Sequence, residues 1–476
     1  MERPNFLFLM TDHQTAATVN TDACLTPNID RIIADGTRFR RAYTVNAICS
    51  PARATLFTGV HVHSHGMYDC THTVDECRAN FRTELPTWSQ ALSAAGYTCA
   101  YFGKWHVERS NELSQFGWQY QLREDYRQWR RQAGFGDAPE PQLARRVGGE
   151  RGYQRRIIYG VSDDPGEASH TAHIFNRGAE YLEETLALRQ PWCLFVSTNA
   201  PHDPYVAPRE FYDLYDPAKI PRPASFDDDL RGKPNVLKRM QGVFRELTWD
   251  DFAQATCCFY ALCSMIDAQI GRVLNALERT GQAGNTIVVF LSDHGDMMGA
   301  HRLLTKGITP YEEVYNIPLI IRDPRAAARG RDCDRVVSLG DVCPSVLDVA
   351  GLEPFEQCHF RSLAPLLNDP AGPGWGDEAY AEFHGQRYFY TQRILWRERL
   401  KYVLNAYDFD EMYDLEADPA ELNNVVDDPA YADSKREMLK GIWRMVHRTG
   451  DATLANAEYW TLRFFDLGPG CACDPQ

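Results

Sequence analysis

Side chains able to do chemistry gather at a few points along the 476-residue chain. They are Asp12, Cys49 and Arg53 in Cys49-Ser50-Pro51-Ala52-Arg53, and Lys104 and His106 in Gly103-Lys104-Trp105-His106. Further on come His202 in Asn199-Ala200-Pro201-His202, Asp293 and His294 in Ser292-Asp293-His294-Gly295-Asp296, and Lys306. Asp12, Asp293 and His294 are oxygen and imidazole donors of the kind that hold a divalent cation. Lysine and arginine neutralise an anion, and histidine moves protons near neutral pH. Cys49 taken alone is either a nucleophile or a small buried apolar residue. The 292–296 segment taken alone reads equally well as a polar turn.

The elements that must position these groups read as α/β. Residues 6–10 form a continuous apolar run ending in Thr11-Asp12-His13-Gln14, which suits a buried strand with polar residues at its carboxyl edge. Helices are expected over 27–35, 86–95 and 171–188, and strands over 98–102, 192–197 and 286–291. A long amphipathic helix over 251–279, broken near its start, precedes the last of these strands. Strands alternating with helices argue for a large, mostly parallel sheet sandwiched by helices. Functional residues in such folds collect beyond the carboxyl ends of the strands. Asp12, Lys104, His202 and Asp293 all follow a predicted strand closely, so four clusters can converge on one site.

Composition bounds the rest. Apolar residues make up 44% and charged residues 24%, which excludes a disordered or fibrous chain. A net charge of −15 excludes a protein built to track nucleic acid. The run at 6–10 is too short for a secretory leader or a membrane span. The 14 cysteines are scattered without a paired framework, so most are expected to be reduced core residues in a cytoplasmic protein with no membrane partner. A Cys70–Cys77 bridge stays open. Residues 1–370 read as a catalytic α/β domain with an insertion at about 107–172, whose 123–156 stretch holds nine arginines against five acids. Residues 377–450 read as a small α+β subdomain, with strands expected at 378–383, 387–393, 400–404 and 411–415. The aromatic tail at 451–476 is expected to pack on the catalytic domain or on a neighbouring subunit of a homo-oligomer. His61, His63 and His65 alternate like metal ligands but are assigned exposed or packing roles. Asp267 is expected to be a buried polar anchor on the long helix.

The Cys-x-Pro-x-Arg pattern followed by Ala54-Thr55-Leu56-Phe57-Thr58-Gly59 resembles the signature of the formylglycine-dependent sulfatases of the alkaline phosphatase superfamily. The likeness runs from Pro4-Asn5 to Leu415-Glu416-Ala417-Asp418-Pro419, and His294 adds some likeness to the choline sulfatase and phosphonate monoester hydrolase branch. This resemblance implies an alkaline phosphatase-like fold and hydrolysis of a sulfate monoester, with a phosphonate monoester or phosphodiester as the alternative substrate. A non-catalytic binding protein on the same fold is the minor alternative. It also implies conversion of Cys49 to formylglycine (3-oxoalanine) by a modifying enzyme, one divalent metal, Ca2+ or Mn2+, and no nucleotide cofactor. In the formylglycine hydrate, one hydroxyl attacks sulfur and the other later expels sulfate.

By the same resemblance, Asp12, Asp293, His294 and position 49 would hold the metal. His13, where many relatives carry Asp, is an uncertain ligand. Lys104 and Lys306 would bind the sulfate, Arg53 would hold the modified residue, His106 would act as base and His202 would protonate the departing alcohol. Alternation along extended backbone is expected to send Lys104 and His106 to one side and Trp105 to the other.

Overall fold

The structure, a computed structural model, describes residues 3–72, 79–122, 124–148, 156–188, 190–327, 329–386, 389–405 and 408–455. Fifteen strands are described: β1 Asn5–Asp12, β2 Thr37–Tyr43, β3 Thr98–Gly103, β4 Tyr120–Gln121, β5 Gln142–Val147, β6 Arg156–Ser162, β7 Trp192–Pro201 and β8 Tyr205–Pro208. The others are β9 Thr286–Ser292, β10 Leu319–Arg322, β11 Arg331–Ser338, β12 Glu378–Phe383, β13 Gln392–Arg397, β14 Leu400–Asn405 and β15 Glu411–Asp414.

Eight of them form the central sheet in the order β11-β2-β10-β9-β1-β7-β3-β4. All pairs are parallel except those of β10, which runs antiparallel to both β2 and β9. β1 lies in the middle and is buried throughout. Its Leu7 and Leu9 enter the core on one face of the sheet, and Phe6, Phe8 and Met10 enter the core on the other. A strand buried on both faces must be apolar at every position, which is why its sequence shows no alternation.

The helix Trp249–Arg279 packs along the sheet and is unbroken, contrary to the expected interruption. Thr248 and Asp251 form a reciprocal cap at its start, so the polar residues there begin the helix instead of interrupting it. By length and composition this helix could cross a membrane, but 83% of its most apolar window is buried inside the molecule. Asp267 accepts the backbone N–H groups of Asn28 and Ile29 at 3.0 and 2.8 Å, capping the helix Pro27–Ala34. The expected anchor is thus a helix cap supplied from another element.

The small C-terminal sheet is antiparallel in the order β12-β13-β14-β15. One face packs on the helix Ala432–Thr449 through Leu395, Tyr402, Met412, Ile442 and Val446. The other places Ile394, Trp396, Val403 and Tyr413 in the core shared with the central sheet. β13 corrects the sequence reading of 387–393, because the core-facing run is Ile394-Leu395-Trp396 while Phe389 is 79% exposed. The insertion that holds the arginine-rich stretch contributes β5 and β6 to a three-stranded sheet with β8. Arg130 in it is buried, donating to Asp164 at 2.6 Å and to the Ala168 carbonyl at 2.8 Å. The aromatic tail and Cys77 lie outside the described residues. No disulfide joins two cysteines among the described residues.

Candidate active site

β9, β1, β7 and β3 are consecutive in the sheet and parallel, so their carboxyl ends open on one side. β1 ends in Asp12, β9 leads into Asp293 and His294, β7 leads to His202, and β3 leads to Lys104. The helix Cys49–Thr58 points its first residue at the same place. A cavity of about 1300 Å3 opens there, lined among others by Asp12, Cys49, Lys104, His106, His202 and Lys306. At the end of β3, Gly103 has φ +102° and a Cβ there would come within 1.9 Å of the Ser197 carbonyl. Only glycine allows β3 and β7 to approach this closely at the point where Lys104 leaves the sheet.

Cys49 is 1% exposed at the base of the cavity. Lys306 Nζ lies 3.0 Å from its Sγ, and His294 Nε2 lies 3.5 Å from it. One donor atom each from Asp12, Cys49, Asp293 and His294 fall within 4.8 Å of one another. Asp12 Oδ1 is buried without a hydrogen-bond partner, while Oδ2 accepts from Lys104 Nζ. A buried carboxylate oxygen left unpaired beside a second carboxylate and an imidazole fits a divalent cation. His13, with φ +77°, clusters instead with His202 and Asp203, and both its ring nitrogens are buried and unpartnered.

Arg53, one helical turn after Cys49, is fully buried. Its Nε donates to Asp293 Oδ2 at 2.7 Å, and Nη1 donates to the Lys104 carbonyl at 2.8 Å and to Ser197 Oγ at 2.9 Å. Nη2 stays without a partner. His106 is held through Nδ1 by Ser50 Oγ at 3.3 Å and through Nε2 by His72 Nδ1 at 2.7 Å. Trp105 packs away on Phe57, Phe116 and Tyr101. The expected split of Lys104 and His106 from Trp105 is present, but simple alternation does not produce it. The backbone has left the strand, and His106 itself sits at φ +57°.

The charges are mutually dependent. Hydrogen bonding from Cys70 holds the Cys49 thiol well below its ordinary pKa against burial, with Lys104 and Lys306 adding to the effect. Burial opposes the charge on Lys306 and on Lys104, yet the Cys49 and Asp12 charges hold both lysines above the usual range. His202 is likewise disfavoured as a cation by burial and by Lys306, but Asp12 and its hydrogen bond to Asp203 lift it to about 10. The His202 Nδ1–Asp203 Oδ1 separation is 3.1 Å, and Nε2 lies 3.0 Å from Lys306 Nζ. Burial keeps His13 and His106 below the ordinary histidine value.

The structure therefore gathers every residue singled out from the sequence, with His13 displaced to the His202 side. It adds Ser50, Cys70, His72 and Asp203. Ser50 and Asp203 adjoin named residues and were visible as neighbours. Nothing in the sequence points to Cys70 or His72, which come in from a loop more than twenty residues beyond Cys49. His61, His63 and His65 are all buried. His63 Nδ1 pairs with Glu382 Oε1 at 2.6 Å, and His65 Nε2 lies 3.0 Å from Thr55 Oγ1, so these two are packing residues.

Residues 4–352 match the sulfatase family, and residues 299–448 match the C-terminal region of N-sulphoglucosamine sulphohydrolase. Among relatives, the uncharacterized sulfatase YidJ of Escherichia coli (strain K12) is 30% identical, with 97% of this chain and 90% of that protein covered. The choline-sulfatase of Rhizobium meliloti (strain 1021) is 26% identical, with 97% and 91% covered. Among solved structures, the phosphonate monoester hydrolase of Silicibacter pomeroyi superposes with a TM-score of 0.80 at 23% identity, covering 96% of this chain and 97% of that one. With this match along nearly its whole length and a mixed α/β architecture in common, the chain belongs to the sulfatase family of the alkaline phosphatase superfamily, a family of sulfuric ester hydrolases.

Proposed function

We propose that the protein hydrolyses a sulfate monoester to an alcohol and inorganic sulfate, with Cys49 in use as formylglycine and one divalent metal, calcium or manganese. The observation that carries this is the placement of Cys49 Sγ, which shares one small volume with Asp12, Asp293 and His294 and touches Lys306. Formylglycine at position 49, once hydrated, would supply the nucleophilic hydroxyl and a second hydroxyl for release of sulfate. Asp12, Asp293, His294 and position 49 would hold the metal, which would supply positive charge to activate the nucleophile and to offset the charge of the sulfate.

The remaining work falls to side chains. Lys104 and Lys306 carry fixed positive charge to the equatorial oxygens, where displacement at sulfur spreads negative charge. His202 holds a proton opposite the nucleophile and delivers it to the leaving alcohol oxygen, which would otherwise depart as an alkoxide. Asp203 keeps that imidazole protonated and oriented. His106, neutral by burial, accepts a proton from the hydroxyl that expels sulfate. Arg53 fixes Asp293 and the Lys104 backbone relative to position 49.

Mass spectrometry of the Cys49 peptide should show thiol converted to aldehyde in active preparations, and Cys49→Ala should abolish turnover. Active enzyme with an intact thiol would overturn the reading. The same cradle of positive groups accepts other tetrahedral anions, and the fold likeness to a phosphonate monoester hydrolase favours a second reading on phosphonate monoesters or phosphodiesters. kcat/KM for an aryl sulfate, a phenyl phosphonate ester and a phosphodiester at fixed metal separates the two. The buried cysteines of the core, such as Cys193, Cys257 and Cys258, form no disulfide with one another, which supports a reducing, cytoplasmic location.

A further inference from the structure

A second cavity, of about 870 Å3, lies between the catalytic domain and the C-terminal sheet and shares no lining residue with the catalytic pocket. Its wall includes His61, which is 1% exposed, with Nδ1 and Nε2 both buried and unpartnered. The His61 ring is wedged against Phe360 at 4.5 Å and against Tyr380, edge-on, at 5.3 Å, so its position is fixed. An imidazole with two unmet nitrogens in a buried wall is costly unless a ligand meets them.

Four arginines line the same cavity: Arg361, Arg397, Arg444 and Arg448. Arg397 and Arg444 share Glu378 Oε2, at 2.7 and 2.8 Å, and are spoken for. The neighbouring Asp377 is taken by Arg335 at 2.7 Å. Asp341 accepts the backbone N–H groups of Ser338 and Arg361, and burial lifts it to about 6. Arg361 and Arg448 make no ion pair among the described residues. The Arg361 guanidinium lies 3.6 Å from the centre of the Trp375 ring, with Nη2 donating to the Gly376 carbonyl. Burial lowers Arg361 from its ordinary value, with Asp341 and Asp377 opposing the shift and Arg448 adding to it. Burial above all holds His61 well below the usual histidine range, so its ring is neutral, one nitrogen donating and the other accepting.

We propose that this cavity is a second anion-binding site, taking a sulfate- or phosphate-class oxyanion on Arg361, Arg448 and the donor nitrogen of His61. The guanidiniums supply forked donors suited to a tetrahedral oxyanion. The acceptor nitrogen of His61 is matched by a hydroxyl, which an ester of a polyhydroxylated alcohol and hydrogen phosphate carry and the sulfate dianion lacks. The ligand class is therefore an oxyanion, coming either from a sulfated or phosphorylated sugar or from the free ion. This inference does not depend on the reaction proposed for the catalytic pocket.

The test is calorimetric titration of the full chain carrying Lys104→Ala and Lys306→Ala, which weakens the anion hold of the catalytic pocket. The probes are inorganic sulfate, inorganic phosphate and glucose sulfate. One ligand per chain is expected to bind, and Arg448→Ala or Arg361→Gln added to that background should weaken binding about tenfold or more. Arg448 is exposed, so its variant should keep the parent's thermal unfolding midpoint, and that scan exposes any variant that fails to fold. Tighter binding of glucose sulfate than of inorganic sulfate identifies the ester as the ligand, and the reverse identifies the free ion. Absence of binding by all three probes, or binding unchanged in folded Arg448→Ala and Arg361→Gln, overturns the proposal.

Discussion

His202 and Lys306 show what single side chains contribute and how to separate their roles. Their nitrogens are 3.0 Å apart, yet one is assigned to the leaving group and the other to the sulfate. His202→Gln should lower kcat/KM for alkyl sulfates by about 10²–10⁴-fold while sparing a nitrophenyl sulfate, whose leaving group needs no proton. Equal losses on both substrates in steady-state assays would remove His202 from that role. Lys306→Ala should cost about 10²–10³-fold in kcat on both substrates, because the charge it neutralises does not depend on the leaving group. Dialysis against a chelator should abolish turnover, and calcium or manganese should restore it. Restoration of activity in an Asp12→Ala variant would contradict the ligand set.

At the scale of elements, much of the fold was legible because the core strands are short, continuous apolar runs. β1, β3, β7 and β9 fell within a few residues of their expected ranges, and their polar ends announced the site. What was missed has a physical pattern. The start of the long helix was misread because a cap made of polar residues looks like an interruption. β13 was misplaced because the aromatic composition around Phe389 looks like a strand, whereas Phe389 is exposed and the strand begins at Gln392. Cys70 and His72 reach the site through tertiary packing alone, which no local pattern encodes.

The small sheet carries a titration of its own. Asp410 accepts from Tyr402 Oη and, at 2.8 Å, from the Asn405 backbone, and burial raises it from 3.8 to about 7. The unfolded chain releases this proton near pH 4 and the native state near pH 7. Between those values the native state binds more protons, so stability is full below the window and falls as pH rises through it. Asp410→Asn, which mimics the neutral acid, should remove a decline on the order of a few kcal/mol between pH 4 and 7. Urea unfolding of both proteins at several pH values in that window would check this. Identical pH dependence would rule it out.

At the scale of the whole molecule, the small sheet and the central sheet share one apolar core. Ala379, Phe383, Ile394, Trp396 and Tyr413 of the small sheet belong to the same apolar cluster as Leu7, Leu9 and the long helix. Polar ties reinforce the junction: Trp396 Nε1 donates to Glu312 at 2.7 Å, and the Glu382 backbone donates to the Val45 carbonyl at 2.9 Å. Expression of residues 1–370 alone should therefore yield insoluble or unfolded protein, despite containing every residue assigned to catalysis. A soluble fragment with a cooperative thermal transition would show the two parts to be separable. Arg393 and Asp451, both fully buried and 2.7 Å apart, tie the start of the short helix Ala452–Ala455 to β13. Arg393→Ala should destabilise the chain by about 3–5 kcal/mol in chemical denaturation, because a buried carboxylate would lose the guanidinium paired with it.

The Arg53 guanidinium bonds at once to a carboxylate after β9, a carbonyl after β3 and a hydroxyl on β7. A change there would disturb cation binding, sulfate grip and strand spacing together, leaving no gradual route by which selection could adjust one without damaging the others. Divergence toward new alcohols is thereby channelled to other parts of the cavity wall, such as Tyr126, Arg156 and His170, which are not bonded to this keystone.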